Sequence, residues 1–178
     1  GQMSMAETSD GGCVIVGGYY TVFMMKVAAD GSLQWHKSLS STYAPKIVSV
    51  RRCRDNGFIL AGQHFSSGGA SVSDVYLVRT DSNGVVLWSK DFYNGGGWSG
   101  AQFADEMDDG GFIVGCGSGG TADDQEGNVM SLDASGNLIW NKNLGGSVYG
   151  VYQTADKGYQ FLSGNGNFMI RTDNNGDV

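Results

Sequence analysis

The chain has 178 residues with 30 Gly, 1 Pro, 40% hydrophobic and 11% aromatic residues, and a formal charge of −7. That is room for one domain with its own core, and Gly without Pro signals tight turns rather than collagen or a disordered linker. The acidic balance disfavours nucleic acid, whose phosphates need a basic face; no run nears 18 apolar residues, so no membrane span is expected, and the start shows no charged-then-apolar signal peptide.

Taken in chain order, the sequence repeats itself. Residues 1–45 offer a strand at 2–8, a turn at Asp10–Gly12, an apolar strand at 13–19, a strand at 22–27 and a last strand at 33–39 around Trp35. Residues 46–100 give strands at 46–53, 58–65, 74–80 and 86–92, the last around Trp88. Residues 101–147 give strands at 101–107, 112–117, 128–132 and 138–144, the last around Trp140. Residues 148–178 give strands at 148–154, 159–164 and 167–172 and no Trp strand.

Two motifs mark the period. Asp-x-Gly occurs at Asp10, Asp55, Asp109 and Asp156, before each apolar run, with spacings of 45, 54 and 47. It reads as a hairpin turn in which Asp bonds nearby backbone and Gly takes a positive φ. Gly-x-x-x-Trp-x-Lys occurs at Gly31 to Lys37, Gly84 to Lys90 and Gly136 to Lys142, with Trp spacings of 53 and 52. Asp81, Asp133 and Asp173 begin the turn before it, and Ala28 stands in their place in the first repeat.

Nothing recurs at helical spacing over three turns, and Gly interrupts every window. Four-stranded antiparallel units about every 50 residues are the signature of β-propeller blades. The expectation is an all-β, propeller-like single domain over 1–178 with four repeats, the last incomplete. On strict alternation Leu33, Trp35 and Lys37 share one strand face, as do Val86, Trp88 and Lys90. Trp35, Trp88 and Trp140 then serve as blade-packing residues, each ring covering the neighbouring blade, with the Lys stem lying along the same surface.

These residues resemble the quinoprotein-like (PQQ-like) β-propeller repeats, and more closely the T-x-D-G-G … T-D-x-x-G-x-x-x-W-x-K repeats of secreted and cell-surface proteins. Thr8 to Gly12 carries the first half and Tyr76 to Lys90 the second; Thr154 to Gly158 departs only at Lys157. The resemblance covers the whole chain. It implies a propeller in an extracellular or cell-surface setting and no particular chemistry.

Site chemistry is sparse. Cys13, Cys53 and Cys116 are odd in number and form no C-x-x-C, and only His36 and His64 could join them at a metal, so zinc is not expected. They read as small buried hydrophobes. Calcium is the one candidate ion: the Asp81, Asp133 and Asp173 turns and Asp123, Asp124 and Glu126 hold oxygens in short loops, though no EF-hand loop is present. Asp capping of a turn explains the same residues. No catalytic residue is assigned: no Gly-x-Ser-x-Gly elbow occurs, and Asp105, Glu106, Asp108 and Asp109 crowd one turn instead of facing each other.

The candidate ligand-binding pair is Trp98 with Tyr93, in the one linker that holds a Trp outside the blade motif. Two long connections, 66–73 and 121–126, accompany it. The reading is therefore a non-catalytic structural and protein-interaction module without cofactor, self-assembling or joined to further chain through the open edge of the fourth blade. The alternative is a carbohydrate-binding, lectin-like module with a glycan partner; a quinone- or calcium-dependent enzyme trails both.

Overall fold

The computed structural model describes residues 2–19, 21–39, 45–65, 73–92, 99–118, 127–145, 147–163 and 168–178. These residues form fifteen strands and no helix. The first sheet is β1 (Met3–Glu7), β2 (Cys13–Tyr19), β3 (Thr21–Val27) and β4 (Leu33–Leu39). The second is β5 (Lys46–Arg52), β6 (Phe58–Phe65), β7 (Ser73–Thr80) and β8 (Val86–Phe92). The third is β9 (Ser99–Glu106), β10 (Phe112–Ser118), β11 (Asn128–Leu132) and β12 (Leu138–Asn143); the fourth is β13 (Val148–Gln153), β14 (Tyr159–Ser163) and β15 (Phe168–Thr172). Every sheet is an antiparallel meander in chain order, so each is one blade of a propeller-like stack.

The first turn of each blade corrects one expectation. The left-handed residue is the one between Asp and Gly: Gly11, Asn56, Gly110 and Lys157, with φ from 65° to 84°. The Gly that follows is required for a different reason. A Cβ at Gly12, Gly57, Gly111 or Gly158 would overlap the backbone oxygen of Val27, Thr80, Leu132 or Thr172, at the end of the third strand. Close backbone approach fixes that Gly, while the middle place tolerates Asn and Lys. The second turn follows the usual rule: Gly31, Gly84, Gly136 and Gly176 lie at φ 71° to 83°. Its Asp carboxylate holds the loop, as in Asp81 Oδ1, which accepts the Asn83 and Val85 amides at 2.9 and 2.8 Å.

The fourth strand corrects another. A register shift between Lys26 and Val27, repeated between Arg79 and Thr80 and between Ser131 and Leu132, leaves Gln34, Leu87 and Ile139 as extra residues. Such a bulge flips the face of what precedes it. Leu33, Val86 and Leu138 therefore lie on the face opposite their Trp and are exposed. Trp35, Lys37 and Leu39 share the other face, toward the second sheet; Trp35 and Leu39 pack on the core there.

The core is not inside any sheet but between sheets, in three layers. Val14, Val16, Val22 and Met24 of the first sheet meet Ile47, Val50, Phe58 and Leu60 of the second. Ile59, Ala61, Val75 and Leu77 meet Ala101, Ala104, Phe112 and Val114. Phe103, Ile113 and Val129 meet Val148, Tyr159 and Phe161. Burial of β6 and β10 on both faces explains their unbroken apolar runs, while β2 and β14, at the two ends of the stack, are buried on one face. No comparable packing joins the fourth sheet to the first among the described residues, so no closed ring is formed by them.

Candidate interaction surfaces

Each Trp sits at a seam. Trp35 lies over Gly84 of the second sheet, Trp88 over Gly136 of the third and Trp140 over Gly176 of the fourth; a Cβ at any of these glycines would come within 2.9–3.1 Å of the indole. The rings are half-buried. Trp88 meets Phe112 edge-on at 5.6 Å between centroids, and Trp140 meets Tyr159 in the same way at 5.7 Å. Such pairs add to what area burial alone supplies. The Lys two places on reaches the same turn: Lys90 Nζ donates to Asn137 at 3.3 Å, Lys142 pairs with Asp177, and the Lys37 stem lies near Gly84.

A second repeated device ties the turn Asp to a basic residue of the third strand. Lys26 pairs with Asp10 at 2.7 Å, Arg79 with Asp55 at 2.7 Å and Arg171 with Asp156 at 2.5 Å. Ser131 takes the basic place in the third blade. The hydrogen bonds from Lys26 and Thr8 hold the Asp10 carboxyl well below the usual carboxylate range. Burial tends to raise Asp55, but the Arg79 guanidinium and the Gly57 amide more than offset it and lower its pKa. The Arg79 side chain is 7% exposed, under the ring of Phe112 at 5.9 Å, whereas Arg171 is 61% exposed.

The turns also link blades. Glu106 Oε2 accepts the Arg54 amide at 2.7 Å, and Gln153 Oε1 accepts the Asp108 amide at 2.9 Å, one blade further on. Asp108 stands between Arg54 at 2.7 Å and Lys157, so its carboxyl is held low and three blades are joined at one rim.

Two equivalent clefts open beside the seams. One, of about 580 Å³, is lined by Trp88, Phe112, Asp55 and Glu106; the other, of about 430 Å³, by Trp140, Tyr159, Asp109 and Gln153. Each combines an aromatic corner with a carboxylate and a further hydrogen-bonding side chain. Sequence reasoning missed them because each is assembled from two blades.

The remaining chemistry is local. Buried His64 shares a 2.6 Å hydrogen bond with Asp91 and lies opposite Asp74 in the ladder. Burial, aided by the Asp91 charge, raises the pKa of Asp74. His36 stacks on Phe23 on the first sheet. Cys53 and Cys116 are buried, and loss of solvation pushes both thiols up to about 12; Cys13 is half-buried. Inert thiols follow from that shift. No group of three or more His, Cys, Asp or Glu side chains among the described residues is placed to hold a metal ion. The Asp133 and Asp173 oxygens are engaged by amides of their own turns. Trp98 and Tyr93, with Asp123, Asp124 and Glu126, lie outside the described residues.

Two free surfaces complete the picture. The outer face of the first sheet carries Met3, Met5, Ile15, Phe23 and Met25, which the ladder places on one side. The outer face of the fourth carries Tyr152, Gln160 and Arg171 in one row and Leu162 and Met169 in the next. On β15 the far edge has no paired strand among the described residues, where β3, β7 and β11 each pair with a Trp strand. Among the described residues no helix is long and apolar enough to cross a membrane.

No known protein family matches the chain, and no curated protein matches it. Among solved structures, a protein of unknown function from Bacteroides caccae superposes with a TM-score of 0.66 at 14% identity, over 96% of this chain and 56% of that one. The chain thus spans little more than half the length of that relative. At such identity the likeness shows the fold alone. BamB from Moraxella catarrhalis aligns over 94% of this chain and 80% of its own at 10% identity, with a TM-score of 0.24 that supports no further statement.

Proposed function

We propose that the chain is a non-catalytic, propeller-like scaffold of the quinoprotein-like repeat type, working by protein contact in an extracellular or cell-surface setting. The observation that carries this reading is the edge of β15. Among the described residues no strand pairs with that edge, where β3, β7 and β11 each pair with a Trp strand. An edge strand with unpaired amides and carbonyls recruits another strand, by main-chain hydrogen bonds and side-chain pockets together. The strand that fits is a Gly-x-x-x-Trp-x-Lys segment, supplied by further chain or by a partner.

The test is to extend the chain by the rest of one such strand, a copy of residues 139–144 placed after Val178, because Gly176, Asp177 and Val178 already hold the places of Gly136, Asn137 and Leu138. The extended protein should melt several degrees higher and stay monomeric, while the 178-residue chain self-associates as its concentration rises. A strictly monomeric chain whose melting temperature ignores the added strand contradicts the reading.

A carbohydrate-binding role has one observation in its favour, the paired clefts at Trp88 and Trp140. Both volumes fall within the size range of ligand pockets. Titration with mixed polysaccharides, followed by Trp fluorescence in wild type and in Glu106→Ala, separates the two readings. Saturable quenching lost in the variant supports sugar; no response to any glycan removes it.

A further inference from the structure

We infer that the outer face of the first sheet is a docking face for a further blade of the same repeat, one that carries its own Trp strand and sets the indole on Gly31. The inference does not depend on the scaffold reading or on the β15 edge, which lies at the other end of the stack.

Three internal seams show what such a face receives. In each, an indole of one blade covers the left-handed Gly of the next: Trp35 on Gly84, Trp88 on Gly136, Trp140 on Gly176. All three glycines are buried. Gly31 holds the same place in its own turn and the same conformation, at φ 83°, yet it is exposed and a Cβ there meets no atom within 4 Å. The socket is built and open.

The surface around it has the matching chemistry. Met5 occupies the place of Val50 and Ala104, which are 0% and 1% exposed, and is itself 61% exposed. Ile15 stands where Leu60, Val114 and Phe161 are buried, and Met25 where Val78 and Met130 are buried. The exposed Met5 and half-buried Ile15 and Met25 form an apolar surface at positions that the other blades reserve for blade contact. An apolar patch of this kind marks an interaction site.

A second copy of the described chain fits poorly. Its fourth sheet presents no Trp to Gly31, and beside the apolar Tyr152, Leu162 and Met169 it would set Gln160 and Arg171 against this face. Arg79, the counterpart of Arg171, is covered by the aromatic ring of Phe112. Cys13 holds that aromatic place in the first blade and offers no ring. The occupant is therefore a complete blade with a fourth strand.

Cys13 supplies the readout, since it lies on this face while Cys53 and Cys116 are buried. The experiment places a copy of residues 99–147 ahead of Met3, so that the junction repeats the link between β12 and β13. Thiol labelling is then followed site by site. In the 178-residue chain Cys13 should label quickly and independently of protein concentration. In the fusion it should label at least about tenfold more slowly, and Gly31→Val in the fusion should restore fast labelling.

A folded fusion with unchanged Cys13 labelling overturns the inference. So does protection of Cys13 that grows with concentration in the unextended chain, which would make a second copy the occupant. A measurement on the unextended chain stands apart from whether the fusion folds. The face should bind an anilinonaphthalene sulfonate dye, and Met5→Glu should lower that fluorescence without lowering the melting temperature. An absent dye signal, or one indifferent to Met5→Glu, also overturns it.

Discussion

The seam between the second and third blades and the outer face of the first blade are built from the same positions with opposite outcomes. Phe112 is 1% exposed beneath Trp88 and Arg79, while Cys13, at the same place, is half-buried with no blade in front of it. Gly136 is capped by an indole and Gly31 is bare. The difference teaches that a blade of this kind has no core of its own. Its stability is a sum of contacts with its neighbours, as in other repeat architectures.

That comparison can be broken most forcefully at its centre. Phe112→Ala should cost about 3–5 kcal/mol, the range for removing a buried large aromatic, while Cys13→Ala should fall within about 0.5 kcal/mol of wild type in denaturant titration. Equal costs would mean that the first blade is covered after all. Trp88→Ala comes next. Its ring is only half-buried, so a loss of about 2–3 kcal/mol is expected, below the fully buried range. A loss under about 1 kcal/mol would show that the indole does not hold the seam.

Backbone substitutions sharpen the same contrast. Gly136→Ala adds a left-handed penalty and a tight 3.1 Å contact with the Trp88 ring, whereas Gly31→Ala adds the penalty alone at φ 83°. The first should cost about 1–2 kcal/mol more than the second, read from paired melts.

The smallest effect concerns acid. Asp10, Asp108, Asp156 and Asp173 have folded pKa values below their unfolded ones, through hydrogen bonds and cations at the turns. A depressed carboxyl contributes stability that is present above its unfolded pKa and is lost as pH falls through the folded value. Melting temperature should therefore stay level from neutral pH down to roughly 5 and fall below about 4. Asp74 and Asp105 are raised by burial and act in the opposite sense, regaining stability on protonation. Lys26→Met should flatten the acid limb through Asp10, and an unchanged limb would detach that carboxyl from the effect.

Most of the strand order was legible because the repeat states it four times. Asp-x-Gly, an apolar run and Gly-x-x-x-Trp-x-Lys place every strand within a residue or two of its observed bounds. The bulges were not legible. Leu33 and Trp35 alternate like any strand pair, and only the ladder shows that Gln34 is the extra residue that turns them to opposite faces. The middle residue of the first turn was misread for a similar reason. Lys157 gives no hint of a positive φ, though Asn56 is of a type that adopts one readily, and the Gly beside them answers to a carbonyl from the third strand. The clefts need two blades to exist, so no single stretch encodes them. Trp98 and Tyr93 remain a sequence proposition to be tested by Trp98→Ala in the glycan titration.

Residue-resolved amide hydrogen exchange tests the central claim most directly, since it reads seams and open ends in one spectrum. The account predicts slow exchange along both edges of β7 and β11, and exchange faster by several orders of magnitude at the β15 amides that point away from β14. Uniform protection of β15, in a chain shown to be monomeric in the same sample, would contradict it.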